Sequence, residues 1–183
     1  MSRFRARLLQ VVGVLVPLIL LDQATKRWAV ETLRNRPVER FLGDTFRLGY
    51  AENTGVFLGW GDRFPPGIRF ALFVGLVGIA LVAALVYVLR TEALRRPQVI
   101  ALAAILAGGL SNLGDRVGHD GVVIDFMNLG IGRLRTGVFN VADMAVTGGV
   151  LVLLFLGMVQ GGKDDRGEEA GESPPDGSEA SRD

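Results

Sequence analysis

Four long apolar runs constrain the fold of this chain more than any other feature of its sequence. They cover residues 8–28, 68–89, 97–116 and 142–160. A helix needs about 20 mostly apolar residues to cross the hydrocarbon core of a bilayer, and the four runs match that length. Hydrophobic residues make up 49% of the chain, which is typical of an integral membrane protein. The sequence therefore predicts an all-α membrane protein with four transmembrane helices.

The chain is predicted to contain one membrane domain, residues 1–160, and a polar tail, residues 161–183. The tail holds three basic and eight acidic residues, is rich in Gly, Ser and Pro, and lacks apolar periodicity. Such a composition predicts disorder. The first apolar run follows a basic segment, as in a signal peptide, but no small-residue cleavage pattern follows it. We therefore expect a retained membrane anchor.

The linkers between the apolar runs differ in character. The turn between the second and third runs is short and charged, "LRTEALRRP". The first linker contains β-leaning "FRLGYAE" and turn-rich "GWGDRFPPG", and the third contains "GVVIDF" and "TGVF", which are typical of strand ends. We expect a small β-containing cradle at the membrane interface. Trp60 and Phe64 fit either an interfacial lid or an aromatic membrane anchor.

The distribution of basic residues leaves the orientation of the chain open. Four crossings would place both termini on one side of the membrane. Basic residues near the N-terminus, in the short turn and in the tail favour a cytoplasmic location for that side. The raw number of Lys and Arg residues is nevertheless larger on the opposite side, where the first linker interleaves them with acidic residues.

Polar residues gather at one predicted membrane face. Each group of polar residues, taken singly, has a simple structural explanation. The explanation is an i,i+4 ion pair for the group in the first run, a helix C-cap with an Asp and Arg pair for the group in the third, and an N-cap for the group at the fourth. These explanations leave the clustering on one face unexplained. The residues are Asp22 and Lys26 at the end of the first run, Asn112, Asp115 and Arg116 at the end of the third, and Asn140 and Asp143 at the start of the fourth.

Nucleophilic catalysis by a side chain is poorly supported by the sequence. The chain has no cysteine, and Ser111 is the one serine between Ser2 and the tail. A pair of Ser111 with Lys26 would require a neutral lysine beside Asp22, whose charge favours the protonated amine.

A metal site is also poorly supported. The single histidine, His119, excludes a site built on several imidazoles. A site formed by Asp115, His119, Asp120 and Asp125 matches no recurrent ligand spacing. We therefore expect neither a metal nor another cofactor.

A pair of aspartates is the simplest remaining chemistry. Two carboxyl groups within hydrogen-bond reach share one proton, so that the ionised one activates water while the neutral one polarises a carbonyl. The alternative is a proton or ion transporter, because intramembrane acids often mark relays. The middles of the four apolar runs, however, lack ionisable residues. A purely structural scaffold would not explain why the acids cluster.

Five motifs together resemble those of the bacterial lipoprotein signal peptidases, the type II signal peptidases. They are "DQATK", "ENTG", "SNLGDRV", "GVVIDF" and "VFNVADM", in this order. The resemblance implies an aspartic endopeptidase that cleaves diacylglyceryl-modified prolipoproteins before the lipidated cysteine. It also implies a bacterial inner-membrane location with cytoplasmic termini and an extracytoplasmic active site. We expect a monomer with prolipoproteins and membrane lipids as partners and no nucleic acid.

The resemblance implies that Asp125 and Asp143 are the catalytic pair. Two features depart from the family pattern: Val56 and Phe57 come early after the "N-x-G" motif, and Ser111 stands where relatives commonly have glycine. The residues to which the resemblance assigns supporting or substrate-binding roles are Asp22, Lys26, Asn53, Gly55, Gly108, Asn112, Asp115, Arg116 and Asn140.

Overall fold

The structure is a computed structural model and describes residues 3–54, 65, 67–68 and 71–169. Within these ranges, the main helices are α1 (Arg3–Leu33), α2 (Val77–Arg90), α3 (Arg96–Gly118) and α4 (Val141–Glu169). A π-helical segment, Ala71–Leu76, leads directly into α2. The strands are β1 (Glu39–Phe41), β2 (Phe46–Asn53), β3 (Val123–Ile131) and β4 (Leu134–Arg135).

Three of the described helices are long and apolar enough to cross a membrane. They comprise Arg3–Leu33, Arg96–Gly118 and Val141–Gln160, and a shorter apolar helix covers Val74–Arg90. Many large apolar side chains on these helices stay exposed, including Leu20 at 64% and Phe155 at 62%. A protein surrounded by water rarely exposes so much apolar surface, whereas a protein surrounded by lipid does. The prediction of an all-α membrane protein with four transmembrane helices is therefore supported in part: the described chain is mostly helical, with three long apolar helices and a shorter fourth, and its short strands form a small antiparallel sheet.

The fourth predicted span matches the candidate span Val141–Gln160, and its helix continues beyond it. The predicted span ends at Gln160, whereas α4 continues to Glu169 and covers the start of the segment assigned to a disordered tail. Residues 170–183 lie outside the described residues, as do Arg69 and Phe70 near the start of the second predicted span.

Helix α3 is the centre of the bundle and packs against α1, α2 and α4. Small residues bring α3 and α4 close together. A Cβ atom added to Gly149 would lie 2.6 Å from the carbonyl oxygen of Ala101, and one added to Gly108 would clash with the backbone of Ala142. Close backbone approach at small residues is a common way for apolar helices to associate without a strong hydrophobic driving force. Glycine at position 108 therefore places the start of α4 directly beside α3.

The four strands form one antiparallel sheet in the order β1-β2-β3-β4. The sheet lies against the C-terminal half of α1, because Phe126 of β3 is buried beside Ala29 and Leu33. Its ring meets Trp28 edge to face, with ring centroids 6.2 Å apart. The sheet is thus anchored at the end of the bundle where the polar motifs lie.

Candidate active site

Asp125 is carried into the protein interior by strand β3. Side chains alternate between the two faces of a strand, so Asp125 shares the inward face with Val123. Both are buried, and Asp125 is only 1% exposed. Burial raises the pKa of Asp125 to about 6, and the negative charge of Asp143 adds to this effect. Hydrogen bonds from Asn53 and Asn140 act in the opposite direction.

Asp143 lies in the first turn of α4, and its side chain is half-buried. Asn140 caps this helix: its Oδ1 accepts from the Asp143 backbone N–H at 3.0 Å, and Asp143 Oδ2 accepts from the Asn140 backbone N–H at 3.0 Å. This reciprocal pair is a capping box, which satisfies two N–H groups at the helix start. The N-cap is therefore Asn140, and Asp143 occupies the third position of the helix.

Asn140 also links the two aspartates. Its Nδ2 donates to Asp125 Oδ1 at 2.7 Å, while its backbone N–H donates to Asp143. The second oxygen of Asp125 accepts from Asn53 Nδ2 at 2.9 Å, and that of Asp143 accepts from Asn112 Nδ2 at 2.9 Å. Each carboxyl group thus accepts two amide hydrogen bonds. Because a carboxylate offers about four acceptor positions, both retain capacity for water or substrate.

A buried ion cluster orients Asn112. Lys26 is 2.7 Å from both Asp22 and Asp115, and it donates to Asn112 Oδ1 at 2.8 Å. A lysine can only donate hydrogen bonds, so the Asn112 atom facing it must be the oxygen. The amide nitrogen then points to Asp143. Lys26 therefore acts on the aspartate pair through Asn112.

Asp22 extends this cluster to the start of α4. Its Oδ1 accepts the backbone N–H of Ala142 at 2.8 Å, and its Oδ2 accepts Ser111 Oγ at 2.7 Å. The first N–H groups of a helix have no partner inside the helix, so an acceptor from another helix stabilises that end. Asp22 therefore joins α1, α3 and α4 at one point.

Two residues of this cluster were missed by reasoning from the sequence. Gln23 donates to Ser111 Oγ at 3.1 Å and to Asp115 Oδ1 at 2.7 Å. Gln23 lies within the "DQATK" motif, which was the available signal. Ser111, considered only as a departure from the family pattern or as a nucleophile, donates to Asp22 instead. In addition, the Lys26 amine contacts Asp22, Asp115 and Asn112.

Two other interpretations from the sequence concern a pair between Asp115 and Arg116 and a possible metal site. Within the described part of the chain, Asp115 pairs with Lys26 rather than with Arg116, and the Arg116 guanidinium donates to the Asn112 carbonyl oxygen at 3.3 Å. Adjacent residues on a helix do not face each other, which explains the difference. Among the described residues, no three Asp, Glu or His side chains are grouped to hold a metal ion. His119 is exposed and is the C-cap of α3.

Gly55, Val56 and Phe57 lie outside the described residues, as does most of the segment proposed as a lid. The remaining residues singled out by the motifs converge at one end of the bundle. Asn112, Asn140 and Lys26 contact one another or the aspartates, and Gly108 permits the close contact between α3 and α4.

A cavity of about 710 Å³ opens beside the aspartate pair. Both Asp143 and Asn53 reach its wall, while most of the wall is apolar. The apolar lining consists of Phe46, Met127, Leu129, Val138, Phe139 and Met144. A largely apolar cavity of this size with a few polar groups is typical of a ligand site.

The class of this protein follows from its fold: it is a mostly helical membrane protein. The fold resembles two solved bacterial membrane enzymes. One matches with a TM-score of 0.70 and 24% identity over 80% of this chain and 90% of the other. The second matches with a TM-score of 0.71 and 22% identity over 90% of this chain and 94% of the other. At these identities the likeness concerns the fold alone.

Sequence comparison identifies the family. Residues 14–159 match the family model described as signal peptidase (SPase) II. The lipoprotein signal peptidase of Sphingopyxis alaskensis is 39% identical over 146 residues, which are 79% of this chain and 82% of the relative. That of Syntrophus aciditrophicus is 34% identical over 80% of this chain and 89% of the relative. The chain belongs to the signal peptidase II family.

Family membership confirms two predictions made from the sequence and does not support the alternative. The chain is an aspartic peptidase, and the alternative of a proton or ion transporter is not supported. The apolar helices together with the family indicate an inner-membrane protein.

Proposed function

We propose that this chain removes signal peptides from diacylglyceryl-modified prolipoproteins, with Asp125 and Asp143 as the catalytic pair. The observation that carries the proposal is the amide network in which Asn140 donates hydrogen bonds to both carboxyl groups. Membership of the signal peptidase II family supplies the reaction, and the relatives named above are lipoprotein signal peptidases.

The environments of the two carboxyl groups support a division of labour. Asp125 is buried and has a raised pKa, so it keeps its proton more readily and donates it to the scissile carbonyl oxygen. Asp143 reaches the cavity and takes a proton from the attacking water. When the tetrahedral intermediate collapses, Asp143 returns this proton to the leaving amine. Asp125 then recovers its own proton from the hydroxyl group.

The surrounding residues act on the geometry of the pair. Asn112 and Asn140 hold the aspartates, Lys26 fixes the amide orientation of Asn112, and Asp22 caps the helix that carries Asp143. Arg116 donates to the Asn112 backbone from the same helix. We propose supporting roles for these residues, and the apolar cavity as the site of the substrate segment next to the cleaved bond.

All four apolar helices cross the membrane in this proposal, with the termini in the cytoplasm and the sheet outside. The separation of the two ends of α3 supports the crossing: Arg96 and Asn112 lie 16 residues apart, or about 24 Å along a helix. The orientation is the one that the resemblance to the family implies. The absence of cysteine from the sequence makes a direct test simple. In intact cells, a membrane-impermeant maleimide should label Arg133→Cys in the β3–β4 turn but label Ala93→Cys only after permeabilisation. The opposite result would invert the orientation.

The catalytic assignment is tested by Asp125→Asn and Asp143→Asn. Asn has nearly the shape of Asp but cannot exchange the proton, so each variant should lose about 10²–10⁴-fold in cleavage of a lipidated precursor peptide. The double variant should be hardly slower than either single one, because the two groups act as a unit. Asp120→Asn is the matched control. Asp120 is exposed and has φ 51°, a conformation that Asn also adopts readily.

The outcome separates catalysis from structure. If Asp143 served only the capping box, Asp143→Asn would be nearly silent in the cleavage assay, because Asn also accepts hydrogen bonds at a helix start. Substantial turnover by either single variant, at equal amounts of folded protein, would remove that aspartate from the proposed mechanism.

A further inference from the structure

A second cavity lies at the end of the bundle opposite the aspartate pair. It has a volume of about 540 Å³ and lies between the start of α1 and the turn that joins α2 to α3. Four arginines and one glutamate line it, so its wall carries a net charge of +3. These residues are Arg3, Arg7, Arg90, Arg96 and Glu92.

One of these arginines is held rigidly by the protein. Arg7 donates to the carbonyl oxygens of Val88 at 3.3 Å, Glu92 at 3.4 Å and Leu94 at 3.1 Å, and also to that of Thr91. These carbonyls belong to the end of α2 and the turn that follows it. A cation at this position satisfies the last carbonyls of a helix and interacts favourably with its dipole. Arg7 therefore builds the cavity wall.

The other arginines remain available to a ligand. Arg90 and Arg96 are exposed, and among the described residues their guanidinium groups form neither a hydrogen bond nor an ion pair. Arg3 meets Glu92 at 3.5 Å, but these side chains are 91% and 79% exposed, so the pair is weak. Arg96 is also the first residue of α3, where the positive end of the helix dipole attracts anions.

We propose that this cavity binds the phosphate of an anionic phospholipid. Arginine matches phosphate geometry through paired N–H donors, and basic pockets between membrane helices bind anionic headgroups. The apolar surroundings favour a lipid over soluble phosphate. Phe4 and Leu89 line the cavity beside the arginines, and Phe4 is 55% exposed. Acyl chains would lie along this surface, which soluble phosphate would leave uncovered.

The position of the cavity fits a headgroup. Arg7 and Asp22 lie 15 residues apart on α1, or about 22 Å along the helix. That distance approaches the thickness of a hydrocarbon core, about 30 Å. The cavity and the aspartate pair therefore lie near opposite membrane faces, and lipid binding at the cavity is separate from peptide cleavage.

The test uses the full chain, purified in detergent and stripped of lipid. Dioleoyl phosphatidylglycerol, dioleoyl phosphatidylcholine or inorganic phosphate is then added, and binding is measured by native mass spectrometry and by the shift in thermal unfolding. We expect a saturable complex with phosphatidylglycerol that weakens as salt increases. Arg90→Gln/Arg96→Gln should weaken it by about 30-fold, taking the usual contribution of a basic side chain near an anionic lipid.

The matched control is Arg36→Gln/Arg133→Gln, which removes the same charge from exposed arginines elsewhere and should bind phosphatidylglycerol like the wild type. Unfolding in phosphatidylcholine alone checks that both double variants are folded. Equal binding of the two lipids, no salt dependence in the wild type, or unchanged affinity in Arg90→Gln/Arg96→Gln would overturn the proposal. A site for soluble phosphate would instead show inorganic phosphate displacing the lipid at similar concentrations.

Discussion

Removal of the Lys26 charge should destabilise the protein far more than removal of an exposed charge. Lys26 is 3% exposed and lies 2.7 Å from Asp22 and from Asp115, themselves 1% and 3% exposed. In Lys26→Met the apolar stem is kept, but two buried carboxyl groups lose their common partner. Removing one partner of a buried pair costs about 3–5 kcal/mol in the free energy of unfolding.

The control is Arg34→Met. Arg34 pairs with Glu52 at 3.4 Å, and these side chains are 56% and 48% exposed. Breaking such a pair costs about 1 kcal/mol or less. For a chain of this size, 1 kcal/mol corresponds to about 2–4 °C in the unfolding midpoint. Lys26→Met should therefore lower the midpoint by about 6–20 °C, and Arg34→Met by no more than about 4 °C.

The measurement is thermal unfolding of the purified variants in one detergent, followed by precursor cleavage well below both midpoints. Cleavage by Lys26→Met should remain low even where the variant is folded, because Asn112 loses the contact that orients its amide toward Asp143. Adding Asp115→Asn to Lys26→Met should restore part of the stability, since it neutralises one unpaired carboxyl group. A midpoint for Lys26→Met equal to that of Arg34→Met would refute the argument.

Two further predictions concern pH and helix packing. The raised pKa of Asp125, about 6, means that its proton is present at low pH and lost as pH rises, so kcat/KM should fall on the alkaline side. Asn53→Ala removes a hydrogen bond that lowers this pKa, and the alkaline limb should move to higher pH; an unmoved limb would contradict the role of Asp125. Gly108→Ala should cost about 1–3 kcal/mol by overpacking. Gly114→Ala, with no atom within 4 Å of the added Cβ, should be neutral or stabilising in the same unfolding assay; equal loss in both would contradict the packing argument.

The sequence by itself determines the helices and part of the site. Apolar runs of about 20 residues select membrane helices because the length of the hydrocarbon core sets that requirement. The Asp22–Lys26 contact spans one helical turn and follows from local spacing. The capping box of Asn140 and Asp143 is local in the same sense. The contact and the capping box each depend on residues within about four positions of one another.

Tertiary structure alone decided how the motifs meet. Asn112 and Asp143 are 31 residues apart, and Asp22 caps α4 across 120 residues. The sequence patterns of the separate helices specify neither contact. Both contacts depend on how closely α3 approaches α4 at Gly108 and on the position of α1 beside them. The pairing of Asp115 on α3 with Lys26 on α1 has the same origin. Local periodicity sets which face of a helix is polar, whereas only the packed bundle sets which polar side chains on neighbouring faces come within hydrogen-bond distance.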